Sequence, residues 1–196
     1  MTKTVNNQEI TTDKRMEEKR IDCSKQTPEE LALAAHHARL IHRFNMAEPY
    51  SEEWSGLMRE IFKGKIGEGS RVMSPLTAIR PHEVTIGRGC VIMNGCLMMA
   101  AGGITIEDNV MIAANCQLIS NNHDPYERIV ITCRPVRICH GAWIGAGSTV
   151  LPGVTVGRYA IVGANSTVTH DVPDYAVAVG IPAKVVKYLD KGKFGG

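Results

Sequence analysis

Aliphatic residues recur at every sixth position through the second half of the chain. The series comprises Ile138, Ile144, Val150, Val156, Val162 and Val168, and the residues four places after its members are Ala142, Ser148, Val154, Ala160, Ser166 and Val172. An α-helix does not repeat at six and a flat strand repeats at two, so the chain must turn a corner after each short strand. The spacing predicts an all-β solenoid from about Ile66 to Pro173, with one aliphatic side chain of each strand pointing inward. Glycines that follow the aliphatic residue, such as Gly145 and Gly157, are expected to adopt positive φ near the corners.

The first half of the solenoid keeps the same register with a longer coil. Ile66, Ile86 and Ile106 are spaced twenty residues apart, which indicates three hexads plus two additional residues at one repeated corner. The next equivalent aliphatic residue comes thirty-two positions after Ile106, so about a dozen residues bulge from that corner. We predict a loop over residues 124–137 with His123 at its root. Long loops on a rigid scaffold are disproportionately functional.

Residues 26–65 have a helical pattern. A hydroxyl N-cap at Thr27, followed by a proline, begins one helix, and Ser51 begins a second helix with a single apolar stripe. The stripe comprises Trp54, Leu57, Met58, Ile61 and Phe62. A short helix cannot bury such a stripe alone, so the two helices form a cap that packs on the solenoid or on a partner chain. Residues 1–25 are charged and lack periodicity, which predicts a mobile arm, and residues 188–196 form a tail.

Composition restricts the class of function. A net charge of +2 does not indicate a protein that binds nucleic acid. No apolar run approaches the length of a membrane span, and the polar N-terminal segment lacks the apolar core of a secretory signal. The six cysteines contain no Cys-x-x-Cys pair, so their spacing does not indicate a zinc knuckle. Without a signal, the reducing cytoplasm is the expected compartment.

Three segments resemble the hexapeptide-repeat acyltransferases, and within them the galactoside and maltose O-acetyltransferase branch. They are IEDNVMIAANCQLISNNHDPYER, RICHGAWIGAGSTVLPGVTVG and IVGANSTVTHDVPDYAVAVGIPAKVVK. The resemblance covers residues 38–187 and implies a left-handed parallel β-helix over residues 66–187 beneath the small N-terminal helical cap. It also implies acetyl-coenzyme A as the donor, no metal, and a homotrimer with active sites between adjacent subunits. The acceptor is expected to be a small molecule with a hydroxyl group, a sugar or a sugar-like compound.

His123 is the candidate catalytic base. A free alcohol is a poor nucleophile at neutral pH, and histidine is the side chain best suited to accept its proton. The matching histidine of the family does so while the acceptor attacks the thioester directly. Such a base must be held in one tautomer by a partner on its other ring nitrogen. Either the Glu127 carboxylate or a backbone carbonyl can supply that partner.

The resemblance also assigns contacts to the donor. They are Trp143, Ala146, Ala164, Thr169, His170, Lys184 and Lys187. Small residues on the rungs let a pantetheine arm lie close to the backbone, and the two lysines can meet coenzyme phosphates. His170 departs from the lysine that is usual at its position, and Trp143 has an alternative interpretation as a structural residue that caps the coil.

The acceptor side departs from the branch. Ile79, Met93 and Ala100 stand where galactoside-type enzymes place a serine, an asparagine and an aspartate, and Asn94 lies one residue away. An apolar site would leave the hydroxyls of a hexose buried without partners, at a cost of about 1–3 kcal/mol each. We therefore expect an acceptor less polar than a hexose, in contact with Met93 and Asn94.

Three alternative functions would use other features of the sequence. A nucleophilic cysteine is disfavoured because Cys90, Cys96 and Cys116 occupy inward positions, whereas Cys133 and Cys139 lie near the loop. A zinc carbonic anhydrase on the same solenoid would use three histidines shared between subunits. The candidates for it are His82, His123, His140 and His170. A non-catalytic assembly or sensing module would have no need of a long loop that carries a histidine.

Overall fold

The computed structural model describes residues 18–194. A short strand and two helices precede the solenoid: β1 (Lys19–Asp22), α1 (Pro28–Met46) and α2 (Glu52–Ile61). The Thr27 hydroxyl accepts from the Glu30 backbone N–H, and the Glu30 carboxylate accepts from the Thr27 N–H, which forms the capping box that begins α1. Ser51 caps α2. No helix within residues 18–194 is both long enough and apolar enough to span a bilayer.

Within residues 18–194 eighteen further strands follow in the chain, and all but two of them, which form a hairpin, follow one another around the three faces of a solenoid. In chain order they are β2 (Arg71–Val72), β3 (Thr77–Ile79), β4 (Val84–Ile86), β5 (Val91–Ile92), β6 (Leu97–Met99), β7 (Ile104–Ile106), β8 (Met111–Ile112), β9 (Gln117–Ile119), β10 (Asn121–His123), β11 (Val130–Cys133), β12 (Val136–Ile138), β13 (Trp143–Ile144), β14 (Thr149–Val150), β15 (Thr155–Val156), β16 (Ile161–Val162), β17 (Thr167–Val168), β18 (Ala176–Gly180) and β19 (Ala183–Tyr188). Cys23–Lys25, Pro81–Glu83 and Lys191–Phe194 form 3-10 turns.

Parallel pairing between coils creates the three faces. The first face is ordered β19-β18-β16-β13-β8-β5-β2, the second β17-β14-β9-β6-β3, and the third β15-β12-β7-β4. We call the edge between the first and second faces the first corner, and the edge between the second and third faces the second corner. On the third face Ile86 pairs with Ile106, Ile106 with Ile138, and Ile138 with Val156. The predicted register is therefore confirmed, including the insertion of residues between Ile106 and Ile138.

The interior is a column of aliphatic and small side chains. All six aliphatic residues of the sixfold series are at most 1% exposed. Their small partners are buried with them, and so is the apolar stripe of α2, which packs on the first coils of the solenoid. Phe44 of α1 stacks on Trp54 of α2, with ring centroids 5.6 Å apart. The cap therefore closes the open end of the solenoid core, as a short amphipathic helix requires.

The glycines after the aliphatic residues have a different role from the one expected. Gly145 and Gly157 do not adopt positive φ, which is found instead at Gly141 and Gly147. A Cβ at Gly145 would lie 2.6 Å from the backbone nitrogen of Ala164, and one at Gly157 would lie 2.5 Å from that of Asp174. The expectation was wrong because the close approach of the next coil, rather than the turn of the chain, excludes a side chain here.

The insertion is an ordered hairpin rather than an irregular loop. β10 and β11 pair antiparallel, with His123 opposite Ile131, and the chain rejoins the third face at Val136. The predicted loop over residues 124–137 is thus wrong in its bounds, because the backbone groups of Val130–Cys133 have a partner strand on each side. His123 lies within the hairpin rather than at the end of a regular hexad.

The second partner of the hairpin comes from the predicted arm. β1 pairs antiparallel with β11, and Cys23–Lys25 continue it as a 3-10 turn. The mobile-arm prediction is therefore wrong for residues 19–25, and residues 1–17 lie outside the described residues. At the other end β19 runs antiparallel to β18 up to Tyr188, so the last strand covers the solenoid edge instead of adding a parallel rung.

Candidate active site

His123 has a partner on one ring nitrogen. Its Nδ1 lies 2.6 Å from the backbone carbonyl oxygen of Arg128, and the side chain is exposed. Because a carbonyl oxygen can only accept, Nδ1 carries the proton in this contact. The Nε2 atom is then unprotonated and able to accept a proton from a hydroxyl group.

The turn that presents the Arg128 carbonyl is organised by Asp124. One carboxylate oxygen of Asp124 accepts from the backbone N–H groups of Tyr126 and Glu127, at 2.8 and 2.9 Å. The other accepts from Nη1 of Arg20 at 2.8 Å. The two backbone N–H donors, followed by Arg20, lower the pKa of Asp124 to about 2. This carboxylate is therefore charged throughout the neutral range and holds the turn in place.

Glu127 does not orient His123. Its carboxylate lies 3.6 Å from Nη2 of Arg20 and is largely exposed. Its backbone carbonyl accepts from the N–H of Val130, which tightens the turn so that the next carbonyl, that of Arg128, reaches the imidazole. Of the two partners left open by the sequence, the backbone carbonyl is the one that is present. Nothing in the residue types could have identified Arg128, because the interaction depends on backbone geometry alone.

Two predicted donor contacts, Ala146 and Ala164, line up along the first corner with the predicted acceptor residue Asn94. These three residues are exposed there and are stacked with Ala114. Backbone hydrogen bonds join the coils, from Asn115 N to the Asn94 oxygen at 3.0 Å and from Asn165 N to the Ala146 oxygen at 2.8 Å. The result is a ridge of small side chains along which an extended molecule can approach the backbone. Sequence reasoning missed Ala114, although its spacing from Ala146 repeats that between Ile112 and Ile144.

The remaining predicted donor contacts are distributed over two other surfaces. Trp143 lies outward on the first face, 46% exposed beside Met111, so the interpretation of this residue as a cap of the coil is wrong. Lys184 and Lys187 are exposed on β19. Thr169 and His170 lie at the second corner, where the Thr169 hydroxyl is 2.8 Å from Nδ1 of His170. Within one chain, the small-residue ridge therefore lies at the first corner, whereas His123 lies at the second corner.

The expected acceptor residues also separate. Met93 is exposed and precedes Asn94 at the first corner, and Ile79 is exposed at the end of β3. Ala100 is fully buried, so it cannot contact an acceptor. Its side chain belongs to the hydrophobic core of the solenoid.

A cavity of about 370 Å³ lies between α1 and the second corner. Its lining is Gln26, Glu30, Leu33, Ala34, His37, Ala38, Ala78, Ile79, Arg80 and His82. On the second face Ile79 pairs with Met99 of the next coil, and Met99 pairs with Ile119 of the coil after that. The His123 hairpin leaves the solenoid from this third coil, so two strand spacings, about 10 Å, separate it from the cavity. Of the expected acceptor residues only Ile79 lines it. The sequence gives only a weak indication that Arg80 and His82 line a cavity, because both lie at a turn that the hexad pattern does not specify.

Two stacked imidazoles form part of that lining. The rings of His37 and His82 have centroids 4.9 Å apart and an interplanar angle of 17°. Burial lowers the pKa of His37 to about 4, with further contributions from His82, His36 and Lys63, and burial also lowers the pKa of His82. Both rings are neutral at pH 7. Nδ1 of His82 is buried and has no hydrogen-bond partner within residues 18–194.

The cysteines lack the environment of nucleophiles. Cys90, Cys96 and Cys116 are buried inside the solenoid as predicted, and Cys133 and Cys139 are buried as well. Burial raises the pKa of the Cys133 and Cys139 thiols, which disfavours the thiolate. Among residues 18–194 there is no group of three or more His, Cys, Asp or Glu side chains that could hold a metal ion.

Comparisons with known proteins identify the family. The model of bacterial transferase hexapeptide repeats (six repeats) matches residues 135–170. Galactoside O-acetyltransferase of Escherichia coli K12 is 30% identical over 156 residues, which cover 77% of this chain and 76% of that enzyme. A hexapeptide-repeat acetyltransferase of Vibrio cholerae, solved in complex with acetyl-coenzyme A, is 30% identical with a TM-score of 0.78 and covers 84% of this chain and 91% of its own. The maltose O-acetyltransferase of Clostridium difficile is 29% identical with a TM-score of 0.80 and covers 84% of this chain and 90% of its own. The chain therefore belongs to the hexapeptide-repeat acetyltransferases, in the branch of the galactoside and maltose O-acetyltransferases.

Proposed function

We propose that this chain transfers the acetyl group of acetyl-coenzyme A directly to a hydroxyl group of a small acceptor, with His123 as general base. Family membership makes the chain an acetyl-coenzyme A-dependent O-acetyltransferase, and the roles of individual residues and the nature of the acceptor are inferred from geometry. The observation that supports the role of His123 most strongly is the Nδ1 contact with the Arg128 carbonyl, which leaves Nε2 free to accept a proton.

The reaction follows from that tautomer. Nε2 accepts the hydroxyl proton as the acceptor oxygen attacks the thioester carbonyl, and the new carbon–oxygen bond gives a tetrahedral intermediate. The carbon–sulfur bond then breaks, and the coenzyme thiolate takes the proton back from the imidazolium. The products are an acetyl ester and free coenzyme A, with no acetyl group on the protein. The buried thiols with raised pKa support a direct transfer over a cysteine intermediate.

The donor is proposed to lie along the first corner. Ala146 and Ala164 let the pantetheine arm approach the coil backbone, and the predicted acceptor residues Met93 and Asn94 lie at the N-terminal end of the same ridge. Trp143 offers an exposed apolar surface beside it. Lys184, Lys187, Thr169 and His170 are assigned to the nucleotide end, where cations and hydroxyls can meet phosphate oxygens.

We infer that the working enzyme is a homotrimer. The ridge at the first corner and the His123 hairpin at the second corner lie on different edges of one solenoid, so a complete site needs both edges to face each other across two subunits. The exposed apolar side chains of the first face, including Met111, Trp143 and Val185, support such contact between copies.

The six cysteines are all free, which supports a reducing compartment, the cytoplasm.

The acceptor is proposed to place its apolar body in the cavity between α1 and the second corner, with its reacting hydroxyl directed toward the His123 hairpin, about 10 Å away along the same corner. The cavity is mostly apolar, with Leu33, Ile79 and three alanines facing a few polar groups, of which the Arg80 guanidinium is the cation. A hexose with all its hydroxyls free would leave several unpaired against this lining, at about 1–3 kcal/mol each. We therefore favour a hydroxyl compound with an apolar body over an unsubstituted sugar.

A panel of acceptors tests this proposal. Acetyl-coenzyme A is mixed with free sugars, alkyl and aryl glycosides of the same sugars, and small alcohols, and release of free thiol is followed. We expect apolar glycosides or alcohols to give a higher kcat/KM than the free sugars. Higher kcat/KM for the free sugars would contradict the acceptor assignment, and an acetylated cysteine detected by mass spectrometry after mixing with acetyl-coenzyme A alone would contradict direct transfer.

A further inference from the structure

The segment before the helical cap is attached to the hairpin that bears His123. We call residues 18–25 the N-terminal strap. β1 adds a third strand to the hairpin in the order β1-β11-β10, with Ile21 opposite Ile131. The pairing continues past the strand, since the Cys23 backbone N–H donates to the Ile129 carbonyl at 3.0 Å. The strap therefore follows the hairpin from its base to the turn after His123.

Apolar contacts fix the underside of this small sheet. Ile21 and Cys23 of the strap pack against Ala101, Ile131 and Cys133, a cluster separate from the main solenoid core. A two-stranded hairpin is only marginally stable in water, and a third strand with an apolar face changes that. The strap supplies both the third strand and two of the five side chains of the apolar cluster.

Arg20 connects the strap to the turn that orients the base. Its Nη1 donates to Oδ2 of Asp124 at 2.8 Å, and its Nη2 lies 3.6 Å from the Glu127 carboxylate. Oδ1 of the same Asp124 holds the backbone N–H groups of Tyr126 and Glu127. The guanidinium therefore fixes the carboxylate that shapes the turn, and the turn delivers the Arg128 carbonyl to Nδ1 of His123.

We propose that the N-terminal strap positions the catalytic base, with Arg20 as a positioning residue that acts through Asp124 and the turn, an inference that rests on the proposed role of His123. Arginine is suited to contact the Asp124 and Glu127 carboxylates together, because the N–H donors of its planar guanidinium are fixed relative to one another. Without it the turn relaxes, the Arg128 carbonyl loses its alignment, and the proton distributes over both ring nitrogens. Misplacement of a reacting group by about 1 Å can cost a factor of 10² in rate.

The test compares Arg20→Gln with a matched surface pair. Arg88 pairs with Asp108 at 2.9 Å and is remote from the hairpin, so Arg88→Gln removes an equivalent exposed arginine–aspartate contact. We expect Arg20→Gln to lower kcat about tenfold or more with an unchanged KM for acetyl-coenzyme A, and Arg20→Lys to recover part of the loss. Asp124→Asn keeps an acceptor for the two backbone N–H groups but loses the charge, and should resemble Arg20→Gln. Arg88→Gln should match the wild type.

A second readout is independent of acetyl transfer. The 15N resonances of the His123 imidazole report which ring nitrogen carries the proton. Wild type and Arg88→Gln should show a protonated Nδ1, and Arg20→Gln a mixture of the two tautomers. An Arg20→Gln protein with wild-type kcat and a fully protonated Nδ1 would overturn the role of the strap. Near-normal turnover in His123→Ala would instead overturn the base, and the resonances would still decide whether the strap orients the ring.

Discussion

At the scale of single residues, the chemistry depends on which protons the side chains carry. The contact between Nδ1 of His123 and a backbone carbonyl keeps Nδ1 protonated, so a turn of the chain, and not a neighbouring acid, orients the proposed base. His37, in contrast, is buried against His82 and has its pKa lowered to about 4. The exposed histidine can exchange a proton with an acceptor, whereas the buried one remains neutral and packs.

The lowered pKa of His37 predicts how stability depends on pH. An unfolded histidine titrates near 6.5, so between pH 6.5 and about 4 the unfolded chain binds more protons at this position than the native protein. Native stability must then fall as the pH is lowered through that window. His37→Phe should reduce the difference in Tm between pH 7 and pH 5, measured by thermal unfolding. The exposed control His42→Phe should leave the difference unchanged, and an undiminished difference in His37→Phe would contradict the assignment.

The lysines of the last strand are predicted to act on the donor alone. Lys184→Ala and Lys187→Ala should raise the KM for acetyl-coenzyme A more than they lower kcat, because they hold a part of the donor that does not react. The effect should shrink with dephospho-coenzyme A derivatives where a lysine meets the 3′-phosphate. Lys193→Ala, an exposed lysine outside the strand, serves as the control. An unchanged KM in both variants would place the coenzyme elsewhere.

At the scale of elements, the coils stack so closely that some positions tolerate no side chain. A Cβ at Gly145 would lie 2.6 Å from the backbone nitrogen of Ala164 in the next coil. The sixfold repeat therefore specifies more than an inward aliphatic residue. At Gly145 and Gly157 it also excludes a side chain, because the backbone of the next coil approaches closely there.

This close approach leads to a prediction about stability. Gly145→Ala should destabilise the protein by about 1–3 kcal/mol, because rigid backbone atoms must move to admit the methyl group. Gly56 lies inside α2 with no atom within 4 Å of an added Cβ. Gly56→Ala should therefore stabilise by about 0.4–1 kcal/mol. Chemical denaturation of the two variants measures both effects, and equal stabilities would contradict the packing of the coils described above.

The elements also show how far the sequence predicts this fold. The spacing of six predicted the buried series from Ile138 to Val168 and the place of the insertion, because one inward residue per strand leaves a strict period. Capping residues predicted both helices. The strand β1 was not predicted, since the four residues Lys19–Asp22 have no strong alternation and pair with a segment more than a hundred residues away. Long-range pairing of short polar strands is not visible in local pattern.

At the scale of the whole molecule, the two halves of the proposed site lie on different corners of the solenoid. The resemblance implied active sites between adjacent subunits, and a single chain places His123 and the small-residue ridge on different corners. The sequence could not predict that the Arg128 carbonyl orients His123, because every residue has a backbone carbonyl. The sequence therefore indicated the proposed base, and the geometry of the hairpin sets which of its ring nitrogens carries the proton.

Mixed assemblies test whether each site combines two subunits. His123→Ala removes the base, and Ala164→Glu places a bulky anion on the small-residue ridge, so each variant alone should be nearly inactive. In a trimer that contains both variants, one of the three sites combines an intact base with an intact ridge. Co-expressed and co-purified mixed trimers should recover roughly one third of the wild-type rate. No recovery, or a monomer by light scattering at micromolar concentration, would contradict the shared site.

The most direct measurement is the pH dependence of kcat in the wild type, in His123→Ala and in the surface control His42→Ala. We predict that the wild-type and control rates rise with pH through one ionisation as the imidazole becomes free to accept a proton, and that His123→Ala lacks this rise. Its kcat should be about 10²–10⁴ times lower, the usual contribution of a positioned base, with an unchanged KM for acetyl-coenzyme A and an unchanged Tm. A His123→Ala enzyme that turns over its best acceptor at a near-normal rate, with the same pH dependence as the wild type, would contradict the role of His123 as general base.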